Sequence, residues 1–185
     1  SLPKGKRVGI LSNAGGLVIM AADACEANGL EVPPLSEKTM NALREYLPKE
    51  AAVKNPVDMI ASASPESFRK SMKLMLEDEA IDALLVMYVP PIVTTPKDIC
   101  PAIVEGSIGA KKPILTCLFG TYGIPEGVEI LKAGKLPVYD FPEAAALALS
   151  RAVNYAAWKA KPKGKQITFS DFDTATIERL KQKSG

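Results

Sequence analysis

Histidine is absent from this sequence. Without an imidazole, the chain alone cannot assemble a Ser-His-Asp or Cys-His pair, an imidazole metal ligand or a phosphohistidine. Cysteine is scarce. Cys25, Cys100 and Cys117 are odd in number and widely separated, which suits neither a disulfide framework nor a metal site. A reducing, cytoplasmic setting is the expectation. Aromatic residues make up only 6% of the chain, few for loops that would hold a flavin ring. An excess of one charge is missing too. The 23 basic and 21 acidic residues leave a net charge of +2, too balanced to indicate nucleic acid or a membrane surface. No apolar run approaches the roughly 20 residues of a membrane span. The opening SLPKGKR is polar with no apolar stretch behind it, so no signal peptide is expected.

What the chain does hold is apolar residues, 47% of the total, enough for a substantial core. Its 185 residues suit one domain with some linker. Strand-like and helix-like periodicities alternate. Strands are expected at 7–12, 30–32, late in 51–60, 82–89, 112–119 and 136–139. DALLVMYV (82–89) is too continuously apolar for a half-exposed sheet and reads as a buried parallel strand. Helices are expected over 16–28, after Ser36, after Ser64 with Pro65 at the first helical position, over 96–109, 125–134 and 142–160. Helix 16–28 is apolar almost all round, which predicts burial against a sheet, and it stops at Asn28-Gly29. Tyr155 and Trp158 are expected to close the core from the last long helix, and the cysteines to pack as small apolar residues.

This alternation predicts an α/β fold: a doubly wound, mostly parallel sheet in a flavodoxin-like three-layer α/β/α sandwich over residues 1–160. Ligands of such sheets sit beyond the carboxyl ends of the strands, where the strand order reverses. Residues 161–185 change character. Their last helical stretch offers only Ile177 and Leu180 as an apolar face, so they read as a linker plus the first turns of another unit.

Three loops could carry chemistry. SNAGG (12–16) joins a strand to a helix through two glycines. Either an oxyanion approaches the free N–H groups of the helix start, or strand and helix pack closely there. The spacing fits neither a dinucleotide-binding nor a Walker A loop. VPPIVTTP (89–96) ends a strand in two prolines and offers Thr95 as a helix cap, with an ordinary helix start as the alternative. NPVD (55–58) sets Asn55 in a turn and leaves Asp58 to serve a neighbouring loop or a ligand, structural use being the plainer reading. The first loop lacks the hydroxyls of a flavin phosphate site. The first and third long strands end in Ser12-Asn13 and Val89-Pro90, without the acidic residues of a receiver domain.

Taken in order, GKRVGILSNAGGLVIMAADACEANGLEV, LSEKTMNALREYLP, NPVDMIASASPESFRKSMKLMLEDEAIDALLVMYVPP, KPILTCLFG and LPVYDFPEAAALALSRAVNYAAW resemble the ADP-forming acyl-CoA synthetases (acetate–CoA ligases) of the succinyl-CoA synthetase superfamily. The resemblance covers about residues 5–160. Lacking the Ser-His-Thr-Gly-like motif of the first ligase domain, the chain is similar to the second flavodoxin-like ligase domain. The resemblance implies that Asn13, Ala14, Gly15 and Gly16, with Ile92, Val93, Thr94 and Thr95, bind phosphate or substrate carboxylate. Asn55 and Asp58 would give support, and no residue here would be catalytic. It implies a helix start lent to a phosphohistidine held elsewhere. It also implies CoA, ATP or ADP and Mg for the whole enzyme, with no cofactor or metal held by this domain alone. The implied partners are the CoA-binding, His-bearing and ATP-grasp parts, residues 161–185 leading into the last, together with a small carboxylic acid or acyl phosphate. A regulatory module of a fused protein acetyltransferase, or a non-catalytic anion-binding domain, is the alternative.

Overall fold

A computed structural model describes residues 1–91, 94–119, 125–164 and 173–183. Its sheet has five parallel strands: β1 (Val8–Ser12), β2 (Val57–Asp58), β3 (Ala83–Tyr88), β4 (Ile114–Leu118) and β5 (Val138–Tyr139), in the order β2-β1-β3-β4-β5. The helices are α1 (Gly15–Ala27), α2 (Glu37–Arg44), α3 (Pro65–Glu77), α4 (Pro96–Ser107), α5 (Pro125–Ala133), α6 (Pro142–Lys159) and α7 (Thr174–Lys183). This is the flavodoxin-like strand order, and β1 and β3 flank its switch point.

Alternation along the buried strands builds two cores. Leu84, Val86 and Tyr88 of β3 face one core, with Phe68 and Met72 of α3 and Ile99 and Ile103 of α4. Ala83, Leu85 and Met87 face the other, with Leu17, Val18 and Ala21 of α1 and Ala145, Ala146 and Leu149 of α6. A fully buried side chain such as Phe68 contributes on the order of 1.5–3 kcal/mol in transfer free energy.

The turn chemistry is local and legible. Ser36 Oγ accepts the Thr39 N–H at 3.3 Å and Ser64 Oγ the Ser67 N–H at 3.1 Å, each capping its helix. After α1, Gly29 takes φ +75°. Its N–H donates to Glu26 C=O and that of Leu30 to Cys25 C=O, a Schellman ending that a residue with Cβ would strain.

The edge beside β1 departs from expectation. Residues 30–32 form no strand, only a single parallel bridge of Glu31 with Arg7. Two segments share this edge: Glu31 at the start of β1, where its C=O accepts the Val8 N–H at 2.7 Å, and β2 at the end, where Val57 stands opposite Leu11. Between them the carboxamide of Asn55 takes the place of a peptide group. Its Oδ1 accepts the Ile10 N–H at 2.9 Å, and its Nδ2 donates to Val8 C=O at 3.0 Å and Pro33 C=O at 2.6 Å. Asn55 sits at φ +104°, a region that asparagine enters more readily than most residues.

Helix α1 is buried against the sheet as expected, through Leu17, Val18, Ala21, Ala24 and Cys25, but its other side is open, with Ile19 and Met20 64% and 39% exposed. An apolar sequence specifies that a helix can be buried, not that this chain supplies the cover. Tyr155 and Trp158 do not close the core. They stack on each other, centroids 5.8 Å apart, on the outer side of α6. The cysteines are buried as expected, and burial pushes the Cys25 thiol up to about 11 and those of Cys100 and Cys117 to about 12.

The described side chains of α7 are exposed. A ten-residue helix without a packed face is marginal in water. Amide exchange across 174–183 should therefore run close to the unprotected rate. Strong protection there would show that the segment packs on this domain rather than on a neighbour.

Candidate functional site

Ser12 ends β1 and Asn13 leads on into α1, and Val89 follows β3 toward α4. Both turns lie at the carboxyl edge of the sheet, on either side of the switch point. Ser12 and Asn13 are buried, whereas Gly15 and Gly16 are exposed. Ser12 Oγ accepts the Ala14 N–H at 3.1 Å and so shapes the turn. Both polar atoms of the Asn13 carboxamide engage Val89: Oδ1 accepts its N–H at 3.0 Å and Nδ2 donates to its C=O at 2.8 Å.

The start of α1, with Ala14 as N-cap, lacks both a capping side chain and a first-turn acid. Helix α6, which also has no capping side chain at Phe141, carries Glu143 in its first turn. Helices α2 and α3 have a capping serine and a first-turn glutamate. In α4, the Asp98 carboxylate accepts from both the N–H and the hydroxyl of Thr95, at 2.9 and 2.7 Å, and these bonds hold its pKa below the usual carboxylate range. The N–H groups of Gly15 and Gly16 have no acceptor among the described residues. They carry the positive end of the helix dipole.

The two glycines differ in their surroundings. A Cβ on Gly16 would meet nothing within 4 Å, so packing does not require glycine there. A Cβ on Gly15 would stand 3.0 Å from Asp58 Oδ2. Asp58 is thereby placed against the helix start, with its Oδ1 accepting the Ile60 N–H at 2.9 Å. An oxyanion could approach from the open Gly16 side. On the same stripe of α1, Ile19 and Met20 lie one turn beyond the glycines and are exposed.

The remaining expected positions divide. Ile92 and Val93 lie outside the described residues. Thr94 accepts from the buried Tyr88 hydroxyl through its C=O at 3.0 Å, and its own hydroxyl lies 3.1 Å from the same oxygen. Thr95 is engaged by Asp98. Asn55 serves the sheet edge. Tyr88 and Asp98 were not singled out in the sequence. A tyrosine ending a buried strand and an acid three residues after a threonine cap are the signals that point to them. Among the described residues, no group of three or more His, Cys, Asp or Glu could hold a metal ion. Two grooves, of 930 and 410 Å³, open at the amino-terminal edge of the sheet beside Pro113, on the side away from this site.

A model of the Ligase-CoA domain matches residues 8–161, nearly the whole sheet and its flanking helices. The chain belongs to the Ligase-CoA domain family. It is 39% identical over 159 residues to the alpha subunit of ADP-forming acetate–CoA ligase II of Pyrococcus furiosus, covering 84% of this chain and 35% of that subunit. A solved protein of Pyrococcus horikoshii OT3 superposes with a TM-score of 0.82 at 36% identity, covering 86% of this chain and 38% of the other. The dinucleotide-forming acetyl-coenzyme A synthetase 1 of Ca. Korarchaeum cryptofilum, solved with phosphate and ADP, superposes with a TM-score of 0.76 at 26% identity, covering 88% of this chain and 37% of that one. This Ligase-CoA domain thus spans about a third of the length of the relatives it matches. No helix among the described residues is long and apolar enough to cross a membrane.

Proposed function

We propose that this Ligase-CoA domain works within an ADP-forming acid–CoA ligase, and that the start of α1 receives a phosphoryl or acyl-phosphate oxyanion presented by another part of the enzyme. The observation that carries this reading is the start of α1 on its Gly16 side: exposed Gly15 and Gly16 whose N–H groups have no acceptor among the described residues, no capping side chain and no first-turn acid. The apolar, exposed Ile19 and Met20 beside it suit a covering protein surface rather than water. The reaction is acyl-CoA + ADP + Pi to acid + CoA + ATP, or its reverse. The relatives named as ADP-forming ligases support that assignment.

In this reaction the domain positions and neutralises. A helix start favours a nearby anion by about 0.3–1 kcal/mol when exposed and up to about 2 kcal/mol when partly buried. Covering the site with the rest of the ligase moves it toward the larger value. Gly15 and Gly16 would supply backbone donors, with Asn13 and Ala14 shaping their turn and Thr94 and Thr95 lining the neighbouring loop. None of them moves a proton. CoA, the nucleotide and Mg would be handled by the other parts, and the phosphorylated side chain would stand on one of them.

Given labelled ATP or acyl phosphate, the isolated chain should acquire no acid-labile phosphate, because it contains no histidine. Stoichiometric acid-labile label on it would overturn the assignment to the phosphate-receiving side of the ligase.

A further inference from the structure

Strands β1 and β3 pair through Ser12 and Met87, and beyond that point their chains part. The β1 chain enters α1, which packs with α6 on one face. The β3 chain leads to α4, which packs with α3 and α5 on the other. Backbone pairing cannot follow chains that diverge to opposite faces. At this point the buried carboxamide of Asn13 grips Val89 by both its N–H and its C=O, extending the ladder with a side chain. Asn55 does the same on the other side of β1.

We propose that Asn13 is a positioning residue that couples the two turns at the switch point. It holds the Gly15-Gly16 start of α1 in register with Val89 and, through Tyr88, with Thr94, and it does not itself touch the bound oxyanion. Both polar atoms of its side chain already bond to Val89 and the residue is 2% exposed, so the carboxamide offers little to a ligand. On the far turn, Val89 adjoins Tyr88, whose hydroxyl donates to Thr94 C=O, so a displacement at Val89 reaches Thr94 through Tyr88. The proposal rests on the anion reading of α1 for its functional consequence, but not for its geometry.

The test uses the ¹⁵N-labelled chain, inorganic phosphate as the probe, and the variants Asn13→Asp and Asn13→Ala. Asp keeps an acceptor for the Val89 N–H but turns an oxygen toward its C=O, whereas Ala removes both contacts. In the unsubstituted chain, phosphate should shift the Gly15 and Gly16 amides and leave the slowly exchanging Asn13 side-chain NH₂ in place. In both variants the Gly15, Gly16, Thr94 and Thr95 amides should shift or broaden together while β4 amides hold, and phosphate affinity should fall roughly tenfold, equivalent to about 1.4 kcal/mol. The proposal is overturned if the Asn13 NH₂ moves more than the glycine amides on adding phosphate, or if Thr94 and Thr95 are unmoved in folded variants. Should phosphate move no amide of the unsubstituted chain, the anion reading fails, and the variant spectra still decide the coupling. Should both variants unfold, the unsubstituted chain decides by itself: an Asn13 NH₂ that exchanges freely with water contradicts the clamp, and one that is slow to exchange and indifferent to phosphate upholds it.

Discussion

Asn55→Ala should lower the unfolding free energy by about 2–4 kcal/mol, because the Ile10 N–H and the Val8 and Pro33 carbonyls lose their partner at once. Val8 and Ile10 are fully buried, so water replaces the carboxamide poorly. For a domain of this size the expected fall in Tm is roughly 5–15 °C. Asn55→Asp separates the plug from simple bulk. Its carboxylate still accepts from Ile10, but its second oxygen faces two carbonyls, so it should be at least as damaging as alanine. Urea unfolding measures both. A loss below about 1 kcal/mol for alanine would show that the edge beside β1 closes without the carboxamide.

Charge placed at Gly16 should separate folding from function. Nothing lies within 4 Å of a Cβ there, so Gly16→Ala should fold normally and gain up to about 1 kcal/mol from helix propensity. Gly16→Asp should also fold, since an acid in the first turn is favoured by about 0.3–1 kcal/mol. In the complete ligase the same carboxylate would stand where the oxyanion must lie. The repulsion is on the order of 1–3 kcal/mol, or roughly 10- to 100-fold in phosphoenzyme formation, partly relieved by salt. Stability and activity thus move in opposite directions for Asp. Equal impairment by Ala and Asp in folded protein would point to packing instead. Gly15→Ala is less benign, because its methyl meets the Asp58 carboxylate.

The parts legible in the sequence are those set by neighbours in the chain. Ser36 and Ser64 cap their helices, Gly29 ends α1, and the continuous apolar run of β3 lies at the centre of a parallel sheet. The resemblance to acyl-CoA ligases and the family match agree over nearly the same residues. The parts that were not legible depend on distant partners. Asn55 meets Ile10 across 45 positions and Asn13 meets Val89 across 76, and neither spacing has a sequence signature. A carboxamide that completes a ladder cannot be told in advance from one that waits for a ligand. Nor does periodicity show whether an apolar helix face is covered within the chain. Ile19 and Met20 of α1, and Tyr155 and Trp158 of α6, all emerged on the surface. LEV at 30–32 has the composition of a strand, but the β1 edge it would occupy is divided between Glu31 and β2.

The most direct measurement is amide exchange at Gly15 and Gly16 in the complete ligase, compared before and after its phosphorylation. An oxyanion seated on the start of α1 accepts hydrogen bonds from these N–H groups, so their exchange should slow on phosphorylation by at least tenfold, corresponding to about 1.4 kcal/mol of added protection. The same change should be absent in Gly16→Asp. Unaltered exchange at both glycines in a fully phosphorylated enzyme would contradict the claim that this helix start receives the phosphoryl group.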